Sequence, residues 1–342
     1  MLEDRIKIVL QEYQIGPAEI VPITSRLYKI HTYHYTFALK RSRLLPEPEA
    51  LANWENVYRQ ANIHRLDSIV PVYLTEKGQI NVRYENEIYY LTPWQEKLER
   101  DEPVHVLEGF FRELANIHAV TMEEYELNQE LAQDTVANEL RQLESRQADL
   151  LEQVERFEAR RYMSPFELQV CTHYRDVEFA FSKTVSWLEA YKEDLQRERI
   201  SRTCLCHGNL RLSHLLTKQE QAKFINWENA YTGSPVQDLS VYFHHEWQYH
   251  DNVFQQILQS FPQYEKQNRL LQSEKSLLAV LTINPSTYLE TVQNYQRYPD
   301  RPLPFQIRDL ERAYRRLYHG LKFQEVLETQ RQKYLEELEE ED

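Results

Sequence analysis

The 342-residue sequence predicts an α+β protein with two lobes, a small antiparallel-sheet lobe followed by a larger helical lobe. Short runs rich in Ile, Val, Tyr and Phe, separated by turn residues, dominate residues 1–94 and indicate strands. After Pro103 the apolar residues recur with a helical period instead. We therefore predict domains at residues 1–94 and 95–342.

The first lobe is predicted to contain two helices and six strands. Residues 3–14 indicate a short helix before a Gly-Pro turn, and residues 46–65 indicate a second helix with Pro and Glu at its start, as the helix dipole favours. Alternating β-branched and aromatic residues predict the strands at 19–23, 26–31, 35–41, 69–75, 79–84 and 88–92.

The second lobe is predicted to carry a helical hairpin at residues 126–195. Two apolar stripes of helical period, at residues 136–157 and 166–191, lie on either side of Ser164-Pro165. One interpretation is an arm that docks a partner protein. The alternative, which the pattern favours, is a helical insertion that packs on the second lobe itself.

Composition limits the classes of function. The formal net charge of −14 argues against nucleic acid as the main partner, because binding phosphates requires a basic face. A long apolar run and a signal-peptide pattern are both missing, which predicts a protein made and folded in the cytoplasm without membrane insertion. The Cys204-x-Cys206 pair fits neither a disulfide framework nor a usual zinc spacing, and we interpret both as reduced core cysteines.

Residues 203–243 hold the motifs with chemical meaning. The pattern of apolar residues predicts two buried strands, around Cys204–Cys206 and Phe224–Trp227. It also predicts a helix that Asp238 is placed to cap. The phrases His207-Gly208, Ile225-x-Trp227-Glu228 and Asp238-Leu239-Ser240 follow one another here. These three motifs, in this order, resemble the catalytic segment of the aminoglycoside-phosphotransferase-like kinases. The resemblance implies their two-lobe, protein-kinase-like fold.

The resemblance also implies three functional positions, and each holds a different residue here. The family's catalytic Asp corresponds to Asn209, its metal-binding Asn to His214 and its metal-binding Asp to Asn226. Asn209 cannot take a proton, an imidazole is a poor magnesium ligand, and an amide at 226 is neutral. We therefore expect no functional catalytic residue and no metal site, and whether the chain is an enzyme stays open, with the pattern favouring a degenerate phosphotransferase.

Lys40 is the candidate remnant of a nucleotide site. Phe37-Ala38-Leu39-Lys40 resembles the family's strand that carries the ATP-contacting Lys, although a lysine on an exposed strand face would look the same. Glu55 is the preferred acidic partner and Glu49 the second choice, with a surface salt bridge as the alternative. No cofactor is expected, and residual ATP binding without magnesium is left open.

Three further regions complete the predicted site. The hairpin between the second and third strands, assigned to residues 26–29, takes the place of the family's glycine loop, and residues 92–94 resemble the hinge between lobes. His207 and Asp238 are predicted to act as a structural brace, with the carboxylate accepting hydrogen bonds from backbone N–H groups of residues 207–210. His118 and the histidines at 244, 245 and 250 are interpreted as structural, because the latter lack a metal-binding helical spacing.

Nearly the whole chain is similar to the CotS group of spore coat-associated proteins, most clearly in the phrases HGN and INWEN and in the tyrosine-rich composition. The resemblance implies a pseudokinase that serves as a non-catalytic scaffold or adaptor in endospore coat assembly. It also implies a location in the mother-cell cytoplasm and then the spore coat, with other spore coat proteins as partners. The alternative is an ATP-dependent phosphotransferase acting on a small hydroxyl compound or a coat protein, and a third possibility is a nucleotide-binding assembly switch.

Overall fold

The protein is described here from a computed structural model, which describes residues 2–45, 47–95, 103–218, 221–251 and 253–341. An antiparallel sheet near the start of the chain is followed by a region dominated by helices, so the predicted α+β class is confirmed. No helix in the described ranges has the length and apolar character needed to cross a membrane.

The elements follow one another in an order close to the prediction. The strands are β1 (Glu19–Pro22), β2 (Leu27–His31), β3 (Thr36–Arg41), β4 (Val82–Tyr84), β5 (Glu87–Pro93), β6 (Glu123–Glu126), β7 (Ile200–Cys206), β8 (Leu215–Lys218), β9 (Gln221–Phe224) and β10 (Tyr231–Gly233). The helices are α1 (Leu2–Gln11), α2 (Pro48–His64), α3 (Pro103–Val120), α4 (Gln129–Glu158), α5 (Pro165–Glu198), α6 (Pro235–Trp247), α7 (Phe254–Ser260), α8 (Pro262–Gln267), α9 (Gln272–Ile283), α10 (Pro285–Arg297) and α11 (Leu303–Glu341).

The chain divides into two compact units. The first contains Met1–Met122, Cys204–Gly233 and Lys266–Asn268, and the second contains the remaining segments. The first unit therefore joins the sheet of the amino-terminal part to the segment that carries the family-like motifs. The predicted boundary after residue 94 stays a prediction.

The main sheet of the first unit has five antiparallel strands in the order β1-β2-β3-β5-β4. Side chains alternate between its faces, so Phe37 and Leu39 of β3 enter a core with α1, whereas Lys40 lies on the opposite face. The register pairs Lys40 with Tyr90 of β5. This pairing places a cation and a phenol next to each other on one face.

Two of the predicted strands are shorter than expected. The strand predicted at 79–84 is reduced to β4, and the one predicted at 69–75 contributes a single bridge, between Ile69 and Phe224. The backbone N–H of Phe224 donates to the Ser68 carbonyl at 2.6 Å, and that of Val70 donates to the Phe224 carbonyl at 3.1 Å. One ladder position is enough to fix residues 68–70 against β9, but it does not make a strand.

Helix boundaries also differ from the prediction at two places. Helix α6 begins at Pro235 with Ser234 as its N-cap, so Asp238 lies in the first turn and is not the capping residue. Proline suits the first helical position because its missing N–H would have no partner there. The helix predicted at 46–65 is observed as α2, and Pro46, its predicted first residue, lies outside the described residues.

In the second unit, α4 and α5 are the two helices predicted on either side of Ser164-Pro165. Ser164 caps α5, its hydroxyl accepting from the Glu167 N–H while the Glu167 carboxylate accepts from the Ser164 N–H. Helix α5 packs against α4, α9, α10 and α11. This packing supports the interpretation as an insertion that packs on its own unit.

Gly320 marks a close approach between α11 and the end of α9. A Cβ atom built there would lie 2.2 Å from the carbonyl oxygen of Thr282, which is rigid backbone. Gly320→Ala should therefore lower the free energy of unfolding by about 1–3 kcal/mol, even though alanine normally stabilises a helix interior relative to glycine. Urea unfolding measures the effect.

Gly16→Ala is the matched control, because a Cβ atom at Gly16 meets nothing within 4 Å. It should change the free energy of unfolding by less than about 0.5 kcal/mol. Equal unfolding midpoints for Gly320→Ala and the parent would mean that the two helices are not this close.

Candidate functional site

A pocket of about 390 Å³ opens in the first unit, on the sheet face that carries Lys40. Part of its wall is apolar and suited to a flat ring, and part is polar. The apolar side chains include Leu27, Ala38, Val70, Trp94, Leu216 and Ile225, and the polar ones include Arg26, Lys40 and Asn226.

The Lys40 ammonium is the centre of the polar wall. Its Nζ donates to Asn226 Oδ1 at 2.5 Å and to Glu228 Oε1 at 2.7 Å. Tyr90 donates from its hydroxyl to the second carboxylate oxygen, Glu228 Oε2, at 3.2 Å. The side chains of Lys40 and Glu228 are only 19% and 8% exposed, so this is a largely buried ion pair.

Burial also sets the protonation of this group. It lowers the pKa of Lys40 below its ordinary value, while the Glu228 carboxylate opposes that shift. Burial raises the pKa of Tyr90 well above its ordinary value, and the charge of Glu228 adds to the effect. Tyr90, packed edge-on against Trp54 at 5.0 Å, is therefore a neutral hydrogen-bond donor to the carboxylate.

Asn226 is positioned by its backbone. Its φ is +71° in the left-handed region, which Asn and Asp adopt more readily than other non-glycine residues. A short 3₁₀ turn, Trp227–Asn229, follows and places Glu228 next to α2. The strand predicted around Phe224–Trp227 is observed earlier in the chain, as β9, and it ends at Phe224 because the left-handed residue 226 turns the chain away from the extended direction.

The acidic partner of Lys40 is Glu228, and not Glu55 or Glu49. Both of those residues of α2 are exposed, and Glu55 lines a different pocket with Lys77 and other residues. Glu228 belongs to the Ile225-x-Trp227-Glu228 motif, but nothing in the local spacing relates it to β3, so the sequence alone predicts no role for it. The proposed part of Lys40 and Glu55 in nucleotide binding stays a prediction.

His207 fixes the loop that follows β7. It is fully buried, its Nε2–H donates to the Ile225 carbonyl at 2.9 Å, and its Nδ1 accepts from the Asn209 N–H at 3.2 Å. Gly208 has a φ of +73°, and a Cβ atom there would lie 2.0 Å from the Asn229 carbonyl oxygen. The His-Gly phrase is thus required by the conformation of the loop, whatever chemistry the loop performs.

Asn209 and His214 lie together in this loop. The side-chain oxygen of Asn209 accepts from Arg211 Nε at 3.0 Å, and His214 Nδ1–H donates to the Asn209 carbonyl at 2.9 Å. Burial lowers the pKa of His214 to about 3, and electrostatic repulsion from His207 adds to this shift. At neutral pH His214 is therefore an uncharged ring held by the backbone.

These residues do not fit magnesium, the metal that the family resemblance implies. Magnesium prefers anionic oxygen ligands, and the Asn226 oxygen is neutral and already accepts a hydrogen bond from the Lys40 ammonium. Among the described residues that line the pocket, Arg26 and Lys40 are cationic and none is acidic. The pocket therefore favours an anion over a divalent cation.

The structure also places three other predicted regions. The turn between β1 and β2 contributes Thr24 and Arg26 to the pocket, whereas residues 27–29 belong to β2, so the hairpin predicted at residues 26–29 lies one turn earlier in the chain. Trp94, predicted in the hinge, lines the pocket, and Lys29 Nζ lies 4.8 Å from its ring centroid. Asp238 is fully buried in the second unit, and its role as a brace with His207 stays a prediction.

Comparison with known proteins identifies relatives of this arrangement. Residues 22–266 match the model of a family described as the phosphotransferase enzyme family. Comparison with curated protein sequences gives no significant match.

Solved structures share the fold over almost the whole chain. An aminoglycoside phosphotransferase from Alicyclobacillus acidocaldarius is 17% identical with a TM-score of 0.72, and the match covers 95% of each chain. The AMP-bound complex of spectinomycin phosphotransferase is 11% identical with a TM-score of 0.62, over 93% of this chain and 98% of the other. Amicoumacin kinase in complex with AMP-PNP and Ca²⁺ is 13% identical with a TM-score of 0.56, over 94% and 93%. The predicted kinase-like fold is therefore confirmed.

The depressed pKa of His214 makes stability depend on pH. The ordinary value is 6.5, so between about pH 6.5 and about pH 3 the unfolded chain binds a proton at this residue that the folded chain does not. Its contribution to stability is complete above pH 6.5 and decreases as the pH falls. His214→Asn should remove about 2 kcal/mol of the stability lost between pH 7 and pH 5, measured by urea unfolding. If the stability of His214→Asn falls as steeply below pH 7 as that of the parent, His214 is not a buried, neutral ring.

Proposed function

The chain belongs to the phosphotransferase enzyme family, and we propose that it is a pseudokinase of that family, which binds a nucleotide without magnesium and does not transfer its phosphoryl group. The observation that carries the proposal is the hydrogen bond from Lys40 Nζ to Asn226 Oδ1. Asn226 stands at the family's metal-binding position, and its side-chain oxygen accepts from the Lys40 ammonium where a metal would otherwise bind.

Charge in the pocket supports nucleotide binding without a metal. Glu228 neutralises Lys40, and Arg26 of the β1–β2 turn adds a guanidinium that suits a phosphate group. The apolar wall formed by residues such as Ala38 and Leu216 suits a purine ring. The AMP-bound state of the similar spectinomycin phosphotransferase supports a nucleotide as the ligand class.

The loop around Asn209 supports the loss of transfer. A general base must accept a proton from the attacking hydroxyl, and a carboxamide has no basicity for that task. The Asn209 oxygen also accepts from Arg211, and His214 donates its Nδ1 proton to the backbone. Each of these groups has a structural role that needs no substrate.

The alternative function is an ATP-dependent phosphotransferase acting on a small hydroxyl compound or on a coat protein. The match to the phosphotransferase enzyme family favours it, as does the fold shared with spectinomycin phosphotransferase and amicoumacin kinase. The two functions differ in one measurable property, which is turnover of ATP.

We further propose that the pseudokinase is a scaffold or adaptor in endospore coat assembly, with other spore coat proteins as partners. The resemblance of the HGN and INWEN phrases to the CotS group supports this role. It would place the protein first in the mother-cell cytoplasm and then in the spore coat.

We expect ATP to raise the melting temperature of the protein by the same amount with excess magnesium and with EDTA, and a coupled assay to detect no ADP release. A ligand that binds only the folded state must stabilise it, so the melting shift reports binding. Lys40→Ala should abolish the shift. Turnover that Lys40→Ala removes would establish the alternative function instead.

The same melting experiment with Asn226→Asp tests whether a carboxylate at this position restores magnesium-dependent ATP binding. It adds a carboxylate beside Lys40 while keeping a residue that tolerates the left-handed backbone. Magnesium should then tighten ATP binding by at least about tenfold, because the site gains an anionic oxygen ligand. Asn229→Asp, the same substitution at a nearby exposed position, is the matched control and should show no magnesium effect. A magnesium effect in the parent would contradict the proposal.

A fluorescent fusion of the chain, expressed in sporulating cells, tests the assembly role. The signal should appear in the mother cell and later surround the forespore, and the protein should be recovered with the extracted coat. An even signal that never concentrates around the forespore would refute this role but would leave the nucleotide measurements unaffected.

A further inference from the structure

One cluster of metal-binding side chains lies outside the pocket and takes no part in the proposed function. His118 of α3 and the two cysteines of β7, Cys204 and Cys206, belong to the first unit, and none is more than 1% exposed. One potential ligand atom from each lies within 4.8 Å of the other two. The two sulfur atoms are 3.9 Å apart, and both residues are thiols in the structure.

The fold brings the three side chains together in a defined way. Residues two apart in a strand point to the same face, so the Cys-x-Cys spacing directs both thiols toward one side of β7. Thr121, just after the end of α3, connects that helix to the strand: its Oγ1 accepts from the Leu205 N–H at 3.0 Å and donates to the Ile117 carbonyl at 2.7 Å. The last turn of α3, with His118, is thereby held against the thiols.

We propose that His118, Cys204 and Cys206 form a binding site for one thiophilic divalent cation of the zinc class. Zinc bonds thiolate sulfur at about 2.3 Å, so two thiolates in a tetrahedral site stand about 3.8 Å apart. The observed sulfur separation of 3.9 Å is close to that value without any movement of the backbone. Two thiolates and an imidazole are also a ligand combination that zinc uses in proteins.

Charge balance favours a divalent ion. Two thiolates, a neutral imidazole and a dication sum to zero, which a fully buried site requires because an uncompensated buried charge is costly. A monovalent ion such as copper(I) would leave one negative charge. Binding releases one proton from each thiol to solvent, so the affinity increases with pH.

The carbonyl oxygen of Gly233 in β10 supplies a fourth neighbour. Cys204 Sγ and Cys206 Sγ donate to it at 3.7 and 3.4 Å. When both thiols release their protons to solvent on metal binding, these two hydrogen bonds are lost and the carbonyl oxygen is left facing the cation. The ion would then connect α3, β7 and β10 immediately before the His207-Gly208 loop.

The test is a titration of the purified, reduced, metal-stripped protein with cadmium, which binds thiolates as zinc does and gives an ultraviolet thiolate-to-metal absorption band. We expect one cadmium per chain, about two protons released per ion, and competition by zinc. His118→Asn and Cys204→Ser should each weaken binding by at least about 100-fold. An absorption band that is missing in the parent would overturn the proposal.

Cys171→Ser is the matched control, because Cys171 is the third cysteine of the chain and lies in α5 of the second unit. It should bind cadmium like the parent. Equal weakening by Cys171→Ser and Cys204→Ser would place the metal elsewhere and refute the site. Circular dichroism checks that each variant is folded. If Cys204→Ser unfolds, the deciding measurement is alkylation of Cys204 and Cys206 in the parent protein, which added zinc should prevent.

Discussion

The first unit depends on one buried ammonium group. Lys40 Nζ joins β3 to Asn226 and Glu228, which follow it by nearly two hundred residues in the chain. A buried cation must be paired, since leaving it alone costs several kcal/mol, so the two segments are constrained to meet at this point. Tyr90 completes the arrangement by donating to the same carboxylate. The polar wall of the pocket is a consequence of this pairing.

Much of the fold could be predicted from the sequence, because the period of the apolar residues reports local structure directly. The strands and helices of strong period, such as β3 and α5, lie where they were expected. Weakly paired segments were less predictable. The extended segment at 69–75 has one bridge to Phe224, and no local pattern distinguishes that from a full strand.

The candidate site could be predicted only in part. Motif resemblance singled out Lys40 and Asn226, which the structure joins by a hydrogen bond. The acidic partner of Lys40 is predicted in α2, whereas Glu228 has that role. Pairing across a long sequence separation is decided by tertiary structure, which spacing cannot reveal. For the same reason the sequence predicts only core cysteines at Cys204 and Cys206. The third residue of their cluster, His118, comes from a helix that is distant in the sequence.

The left-handed backbone at residue 226 has a consequence for the history of this site. With a φ of +71°, the position tolerates Asn and Asp far better than other side chains, and these two differ by a single atom. A lineage can therefore exchange a metal ligand for a neutral amide, or restore it, through one codon change and without disturbing the turn. The loop geometry therefore keeps this one exchange open at residue 226, whichever residues occupy positions 209 and 214.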